Sequence, residues 1–416
     1  MRKESASMAF GKSGGKIEVC LSDDKLRLTE TAFTRDRCLG AKRILQMILF
    51  RIYRALQLHL DDYYAQTGDP SVSKQAFSKA RKNLNPEYVR EFFDMTAEIA
   101  AEDDTLDTYR GMRLIAIDGS DAALENTEEL KDSFGCSGPK KNAATALCSV
   151  AYGPLDHVIY DCRIDRYEKD ERELAKQHVE RLCELGLRVS LLLFDRWYPS
   201  AEFIAFLYEN GFPFVMRARS KWNLKADNVE TDDLISITHN GKTYPVRVMK
   251  IFLPTGEIET LLTSLDQEQL PLSDAGALYF KRWGVETSYD LLKSKLQLEN
   301  FSGKTAVSVR QDFYATMYLA NMTAFVAGAA DELITINDQG KNLKYPRRAS
   351  RNRTIYKLRQ DFLRLLMEPH PVVRYAMLSR IVAAIAEKPV SVVPGRSPPH
   401  KFPRNKRFPM AKKSVV

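Results

Sequence analysis

The sequence predicts an α/β protein: a mixed sheet with helices against its faces, interrupted by a β-rich insertion and flanked by a helical N-terminal region and a helical, basic C-terminal region. Three observations lead there. Between residues 109 and 218, short apolar runs alternate with helical periodicity in the order β-β-β-α-β-α-β. Residues 219–271 break that order with alternating, Thr-rich stretches, and both ends of the chain return to helical spacing. With 416 residues, 44% hydrophobic and 28% charged, the chain is long enough for two or three domains and ordinary enough in composition to exclude wholesale disorder, collagen-like repeats and a disulfide miniprotein.

Taken in order, residues 1–36 are polar and Gly/Ser-rich and read as a flexible leader; they lack the apolar stretch of a signal peptide. Residues 37–108 read as three helical runs. The first spans Cys38 to Gln66, the second opens after Ser73 as N-cap, and the third runs from Glu87 to Ala101. Lys74, Lys79, Arg81 and Lys82 on the second give either a helix-turn-helix-like DNA-binding region or a plain bundle with a solvated basic face.

The first part of the core, 109–218, opens with a short buried strand, Arg113 to Ile117, ending in Asp118-Gly119-Ser120. Two further strands follow (Ala144 to Tyr152, His157 to Ile164), then a charged helix and the apolar strand Arg188 to Phe194, which ends in Asp195-Arg196-Trp197-Tyr198. The stretch 219–271 reads as an inserted β-rich subdomain with turns at Asn240-Gly241 and Pro254-Thr255-Gly256. A continuous helix from Ser273, as N-cap, to about Leu298 opens the second part of the core, 272–335. Residues 336–388 are basic and helical, and 389–416 form a basic, disordered tail.

Charge is unevenly spread. The net charge is +8, yet residues 341–416 alone hold 19 Lys and Arg against 3 acidic residues, leaving an acidic remainder. That asymmetry points towards nucleic acid or another anionic surface, against the plainer reading of a solubilising tail. Arg347, Arg348, Arg351 and Arg353 form one basic cluster beside Tyr345. The six cysteines show no C-x-x-C pair and read as reduced core residues; the six histidines are scattered, without H-E-x-x-H. The best apolar run, Met317 to Ala330, is interrupted by Asn321 and Thr323 and falls short of a membrane span. Gly11-Lys12-Ser13 and Gly303-Lys304-Thr305 resemble P-loop ends but lack the upstream glycine, since Ala6 and Leu298 stand there.

The chemistry-bearing set is Asp118 and Asp195, each at the end of a buried strand, with Glu286 on the later helix. On a continuous helix at about 100° per residue, Tyr279, Arg282, Glu286 and Lys293 fall within an arc of roughly 60°. Converging carboxylates repel unless hard cations neutralise them, and an all-oxygen site suits Mg²⁺ or Mn²⁺. Two such ions about 3.5–4 Å apart can clamp the attacking and leaving oxygens of a phosphodiester. Each residue alone also has a plain explanation as a turn, a cap or an i,i+4 ion pair.

The spacing Tyr279-x2-Arg282-x3-Glu286-x6-Lys293, with the Asp118-Gly119-Ser120 and Asp195-Arg196-x-Tyr198 segments, resembles the DDE transposases of bacterial insertion sequences that carry a Y-(2)-R-(3)-E-(6)-K signature. The resemblance spans roughly Val72 to Ala320. It implies an RNase H-like (retroviral integrase-like) catalytic core, with Asp118, Asp195 and Glu286 as ligands of Mg²⁺ (Mn²⁺ substituting) and Tyr279, Arg282 and Lys293 on DNA phosphates. It also implies cleavage at the terminal inverted repeats of an element and transfer of the 3′-hydroxyl strand to target DNA, in a dimeric synaptic complex, within a cytoplasmic, nucleoid-associated protein free of any membrane.

Trp197 departs from the glycine that many members carry, and Trp222 opens the insertion. Each indole either stacks on a displaced base or fills the core, with the core favoured for Trp197. Arg347 and Arg348 join the expected DNA-binding residues. Two alternatives stay open: an inactive, transposase-derived DNA-binding regulator, and a related metal-dependent nuclease without strand transfer.

Overall fold

The computed structural model describes residues 2–34, 39–50, 55–140, 142–253 and 256–393. The expected tail beyond 393, Cys38 and Pro254-Thr255 lie outside them. The chain forms two compact units. One comprises Asp104–Asp121 and Leu147–Leu291; the other holds the described residues of Met1–Asp103, Ala122–Ala146 and Leu292–Val416.

The first unit is built on a mixed sheet. Its strands lie in the spatial order Ile159–Arg166, Ala143–Tyr152, Arg113–Ala123, Ser190–Phe194, Phe214–Ala218, Ile258–Thr263, Lys242–Phe252 and Asp232–His239. Three strands consecutive in sequence sit side by side, and the next two add in parallel, Leu114 beside Leu191 and Leu192 beside Phe214. Helices Glu171–Glu184 and Ala201–Glu209 make the crossovers, capped by Asp170 and Ser200, whose side chains accept backbone N–H groups of Arg172 and Phe203. That order is the RNase H-like fold. The Ser190–Phe194 run, apolar from Leu191 onward, is buried throughout, as a central parallel strand must be.

Three expectations change here. Residues 219–271 do not make a separate subdomain: Ile258–Thr263 pairs antiparallel with Phe214–Ala218, Val215 beside Thr263, so the insertion's strands continue the central sheet. The first strand does not stop at Ile117 but runs to Ala123, putting Asp118 in its middle. The helix after Pro271 is not continuous. It breaks into Leu272–Phe280, Trp283–Asp290 and a wide turn at Leu291–Lys295, with Lys281 and Arg282 donating to Leu278 and Tyr279 three residues back. Ser273 does not cap it; Pro271 takes that position without a side-chain bond.

The second unit is helical, built around the 33-residue helix Ala306–Asp338, whose Thr305 and Ser308 form a reciprocal capping box. Helices Arg2–Glu18, Pro86–Ala101, Arg351–Met367 and Pro371–Ala386 pack on it. The expected flexible leader is therefore part of a core, with Ala6, Ala9, Phe10 and Ile17 buried. Its glycines serve contact rather than flexibility: a Cβ on Gly14 would stand 2.5 Å from the Leu366 carbonyl oxygen. The first N-terminal run divides into Ala41–Leu49 and Leu56–Thr67, and Ser73 caps Lys74–Arg81 as expected. Helix Ala306–Asp338 is long and apolar enough to cross a membrane, against the reading of the sequence, but 72% of its apolar window is buried within the protein. Cys20, Cys148 and Cys162 are buried and unbridged.

Candidate active site

Asp118, Asp195 and Glu286 all belong to the sheet-bearing unit. Adjacent parallel strands deliver the aspartates, since Ala116 pairs with Leu193 and each aspartate lies two residues on. Asp195 accepts the Trp197 backbone N–H at 2.7 Å, an Asx turn that bends the chain away from the sheet. The Glu286 helix is tied to the same strand by Tyr289, whose buried hydroxyl lies 3.0 Å from the Asp118 carbonyl oxygen and 3.1 Å from that of Cys148.

Arg282 links the carboxylates. Its guanidinium bonds Glu286 Oε1 at 2.8 Å and stands 3.5 Å from Asp118 Oδ2, while its buried Nε has no acceptor. The charge balance remains negative. Burial, with Asp195 and Glu171 nearby, pushes the Asp118 carboxyl up to about 7 despite Arg282. Burial also raises Asp195, against the Trp197 N–H and two arginines. Oxygen-only donors carrying excess negative charge fit a hard divalent cation. Among the described residues, no three such side chains already stand around one point closely enough to hold one. Arg282 engages two of the three carboxylates.

The broken helix corrects the single-face reading. Tyr279 is buried, its hydroxyl donating to the Phe194 carbonyl at 3.3 Å, and burial raises its pKa. It buttresses the strand that ends in Asp195 rather than presenting a phenol to phosphate. Tyr279→Phe is accordingly expected to leave DNA affinity within about twofold and to cost about 1 kcal/mol of stability, read by fluorescence anisotropy and urea unfolding. Lys293 falls in the helical unit, in the turn Leu291–Lys295, 3.8 Å from Glu299.

Trp197 overturns the core expectation. It is 57% exposed, with the Arg219 guanidinium 4.4 Å above its ring. Arg196 and Arg219 also line, with Arg217, Lys221 and Lys250, a groove of about 900 Å³ that opens directly after Asp195 in the chain. Trp222 is half-buried and donates its indole N–H to the Pro199 carbonyl at 2.9 Å, holding the loop that carries Trp197. In the helical unit, Arg347 pairs with Asp338 and Arg353 bonds the Ala384 carbonyl, so the basic cluster is partly committed; Arg348 is exposed. Arg81 leaves the expected basic face altogether and is buried.

Sequence reasoning passed over Phe280 and Trp283, exposed aromatics flanking the helix break, and a buried chain behind Asp118. There His178 lies 2.7 Å from Asp161 and 2.9 Å from the Ser149 hydroxyl, which donates to the Asp118 carbonyl at 3.2 Å. Scattered positions gave no signal of it. The three are wholly buried, so they brace the strand and offer no nucleophile to solvent.

Residues 109–322, just over half of the chain, match the transposase DDE domain family. The chain belongs to that family. The likeness to insertion-sequence transposases read from the Tyr279-to-Lys293 spacing is borne out with it. Transposase InsG for insertion sequence element IS4, from Escherichia coli K12, is 24% identical over 289 residues, which cover 62% of this chain and 61% of that protein. InsZ of the same strain is 25% identical over 196 residues, 45% of this chain and 63% of that one. The chain thus spans about three-fifths of the length of these curated relatives. The piggyBac transposase synaptic complex with hairpin DNA covers 94% of this chain and 84% of its own, at 13% identity and a TM-score of 0.46.

Proposed function

We propose that this DDE family member is a DNA transposase that cuts at the terminal inverted repeats of an insertion sequence and transfers the 3′-hydroxyl strand to target DNA. The observation that carries the reading is the pair of desolvated aspartates, Asp118 and Asp195, on adjacent strands, with Glu286 joined to Asp118 through an arginine that keeps an unmet donor. The three carboxylates would hold a divalent cation, Mg²⁺ with Mn²⁺ able to replace it. When bound, such a cation lowers the pKa of the attacking oxygen and stabilises charge on the phosphodiester. Arg282 Nε–H supplies a donor for a non-bridging phosphate oxygen, and the rigid fork keeps that donor oriented. The Asx turn at Asp195 and the Tyr289 hydroxyl hold the strand and helix in register during the displacement.

The basic groove after Asp195 takes the strand that flanks the scissile bond. Arg219 and Lys221 meet its backbone and the exposed Trp197 indole offers a face for an unpaired base. In the helical unit, Lys293, Arg348 and the exposed Lys79 offer phosphate contacts of their own. Synapsis of two ends requires at least a dimer, and a substrate in the chromosome places the protein in the cytoplasm at the nucleoid.

The test is cleavage of a labelled duplex carrying the DNA that flanks the reading frame, with Mg²⁺, Mn²⁺ or EDTA. Metal-dependent cuts at the element's edge, lost in Asp195→Ala and Glu286→Ala, are expected, followed by joined products when target DNA is added. Hydrolysed ends without joining would reduce the reading to a nuclease. Binding without any cut would turn it to a regulator. Arg219→Ala is expected to weaken binding of a single-stranded flank by about tenfold, a loss of about 1.4 kcal/mol, measured by anisotropy.

A further inference from the structure

The two aspartate segments share a feature that metal-binding aspartates alone do not explain. Gly119 follows Asp118, and Tyr198 stands three residues after Asp195; both converge on Glu171, the first residue of helix Glu171–Glu184. A Cβ on Gly119 would lie 2.9 Å from Glu171 Cδ and 3.1–3.2 Å from its two oxygens, so only glycine leaves room for this carboxylate against the strand. The Tyr198 hydroxyl, on a wholly buried ring, donates to Glu171 Oε2 at 3.2 Å. Neither contact brings a positive charge. The other acidic residues of that first turn have cations: Asp170 bonds Arg172 and Glu173 bonds Lys176 at 2.8 Å. Glu171 is turned instead towards Asp118 and Asp195, among whose neighbours it adds further negative charge.

Two explanations compete for this arrangement. A carboxylate at the N-terminus of a helix stabilises the helix dipole wherever it points. That role needs neither a glycine-sized cradle on the neighbouring strand nor a buried tyrosine to orient it. The cradle and the tyrosine fix the carboxylate beside Asp118, where its charge is unfavourable unless a cation is present.

We infer that Glu171 is a fourth carboxylate of the divalent-cation site, seated by Gly119 and oriented by Tyr198. The inference rests on the cation site proposed above. Glu171 supplies an oxygen donor next to Asp118, and Tyr198 acts on the site only through it, as a positioning residue. The Asp-Gly and Asp-x-x-Tyr segments are then two halves of one device that builds the glutamate into the site.

The experiment is calorimetric titration of the full-length protein with Mn²⁺, beside thermal unfolding of each variant and the cleavage assay. Glu171→Gln is expected to weaken Mn²⁺ binding by about tenfold or more and to melt at or above the wild-type temperature without metal. Glu171→Asp, too short to reach past Gly119, is expected to lose a similar factor. Tyr198→Phe keeps the carboxylate but frees its orientation, and is expected to lose about two- to fivefold in Mn²⁺ affinity. Wild-type Mn²⁺ affinity in both Glu171 variants, with binding lost in Asp195→Asn, would overturn the fourth carboxylate and leave the three-residue site standing. No Mn²⁺ binding by the wild type would overturn both. A Glu171→Gln variant that melts well below the wild type in EDTA would assign Glu171 to the helix dipole and overturn the inference.

Discussion

Asp118→Asn is expected to abolish metal-dependent cleavage, by about 10²–10³-fold or more, and at the same time to raise the melting temperature of the metal-free protein. The two effects share one cause. Asp118 lies in the middle of a buried strand, where burial, Asp195 and Glu171 all oppose its ionisation and lift its pKa from 3.8 to about 7. The sign follows from linkage. A carboxyl whose folded pKa is raised binds its proton more tightly in the folded state, so stability falls as pH rises between the two values. Below about pH 4 both states are protonated and nothing is lost; above about pH 7 both are ionised and the cost is complete. At about 1.4 kcal/mol for each pH unit of that interval, the cost reaches about 4–5 kcal/mol at most, and relaxation around a side chain that reaches solvent leaves about 2–4 kcal/mol. Asparagine removes it. In EDTA the variant should melt about 5 °C or more above the wild type at pH 8, the difference narrowing through pH 6 and 5 and vanishing near pH 4. Circular dichroism melts at these four pH values measure it. A variant that melts below the wild type at pH 8 would show that Asp118 serves the fold rather than the chemistry.

Much of this site was legible in the sequence because its parts are local. A strand that ends in a carboxylate, an Asx turn and a fixed Tyr-Arg-Glu-Lys spacing are each written within a few residues, and Asp118, Asp195 and Glu286 fall in one unit, with Arg282 between Asp118 and Glu286. The fold class was legible for the same reason: the apolar runs and helical periods alternate along the chain as the strands and helices do in the structure. What escaped depends on contacts between distant segments. The helix through Arg282 keeps apolar periodicity across Lys281, so nothing local marks the break that turns the Tyr279 hydroxyl inward to Phe194. Gly11, Gly14 and Gly15 carry the composition of a flexible leader, yet the missing side chains of Gly11 and Gly14 let that helix meet Arg374 and Leu366 closely. Trp197 has the composition of a core residue, and only the sharp turn at Asp195 puts it outside. The insertion's strands looked independent because the pairing that joins them, Met216 beside Leu262, spans 46 residues of chain.

Arg81 shows the same limit with the largest expected consequence for stability. From its neighbours Lys74, Lys79 and Lys82 it belongs to a basic surface, and those three lysines are indeed exposed. Arg81 itself is 2% exposed. Its Nε donates to Gln311 at 2.7 Å, Nη1 to Ser302 at 2.6 Å, and Nη2 to Asp312 at 2.8 Å and the Ser308 carbonyl at 3.2 Å. Asp312 in turn accepts both the backbone N–H and the hydroxyl of Ser302, and Gln311 donates to the Arg81 and Leu84 carbonyls. The network fastens helix Lys74–Arg81 to the start of helix Ala306–Asp338, and four of these bonds come from the guanidinium fork. Arg81→Met would take the Arg81 guanidinium away from the buried Asp312 carboxylate, a loss of about 3–5 kcal/mol. Asp312→Asn placed in the same chain should return roughly half of it, because the buried charge is gone while the Gln311 amide oxygen and the Ser308 carbonyl still lack the donor that Arg81 gave them. Urea unfolding of both variants measures the two values. A DNA contact makes the opposite prediction: stability unchanged, with the salt dependence of binding reduced by about one unit of log–log slope. That slope change is expected for Lys79→Ala, which touches no such network. Arg81→Met, assayed at a temperature where it remains folded, should bind DNA with the wild-type slope.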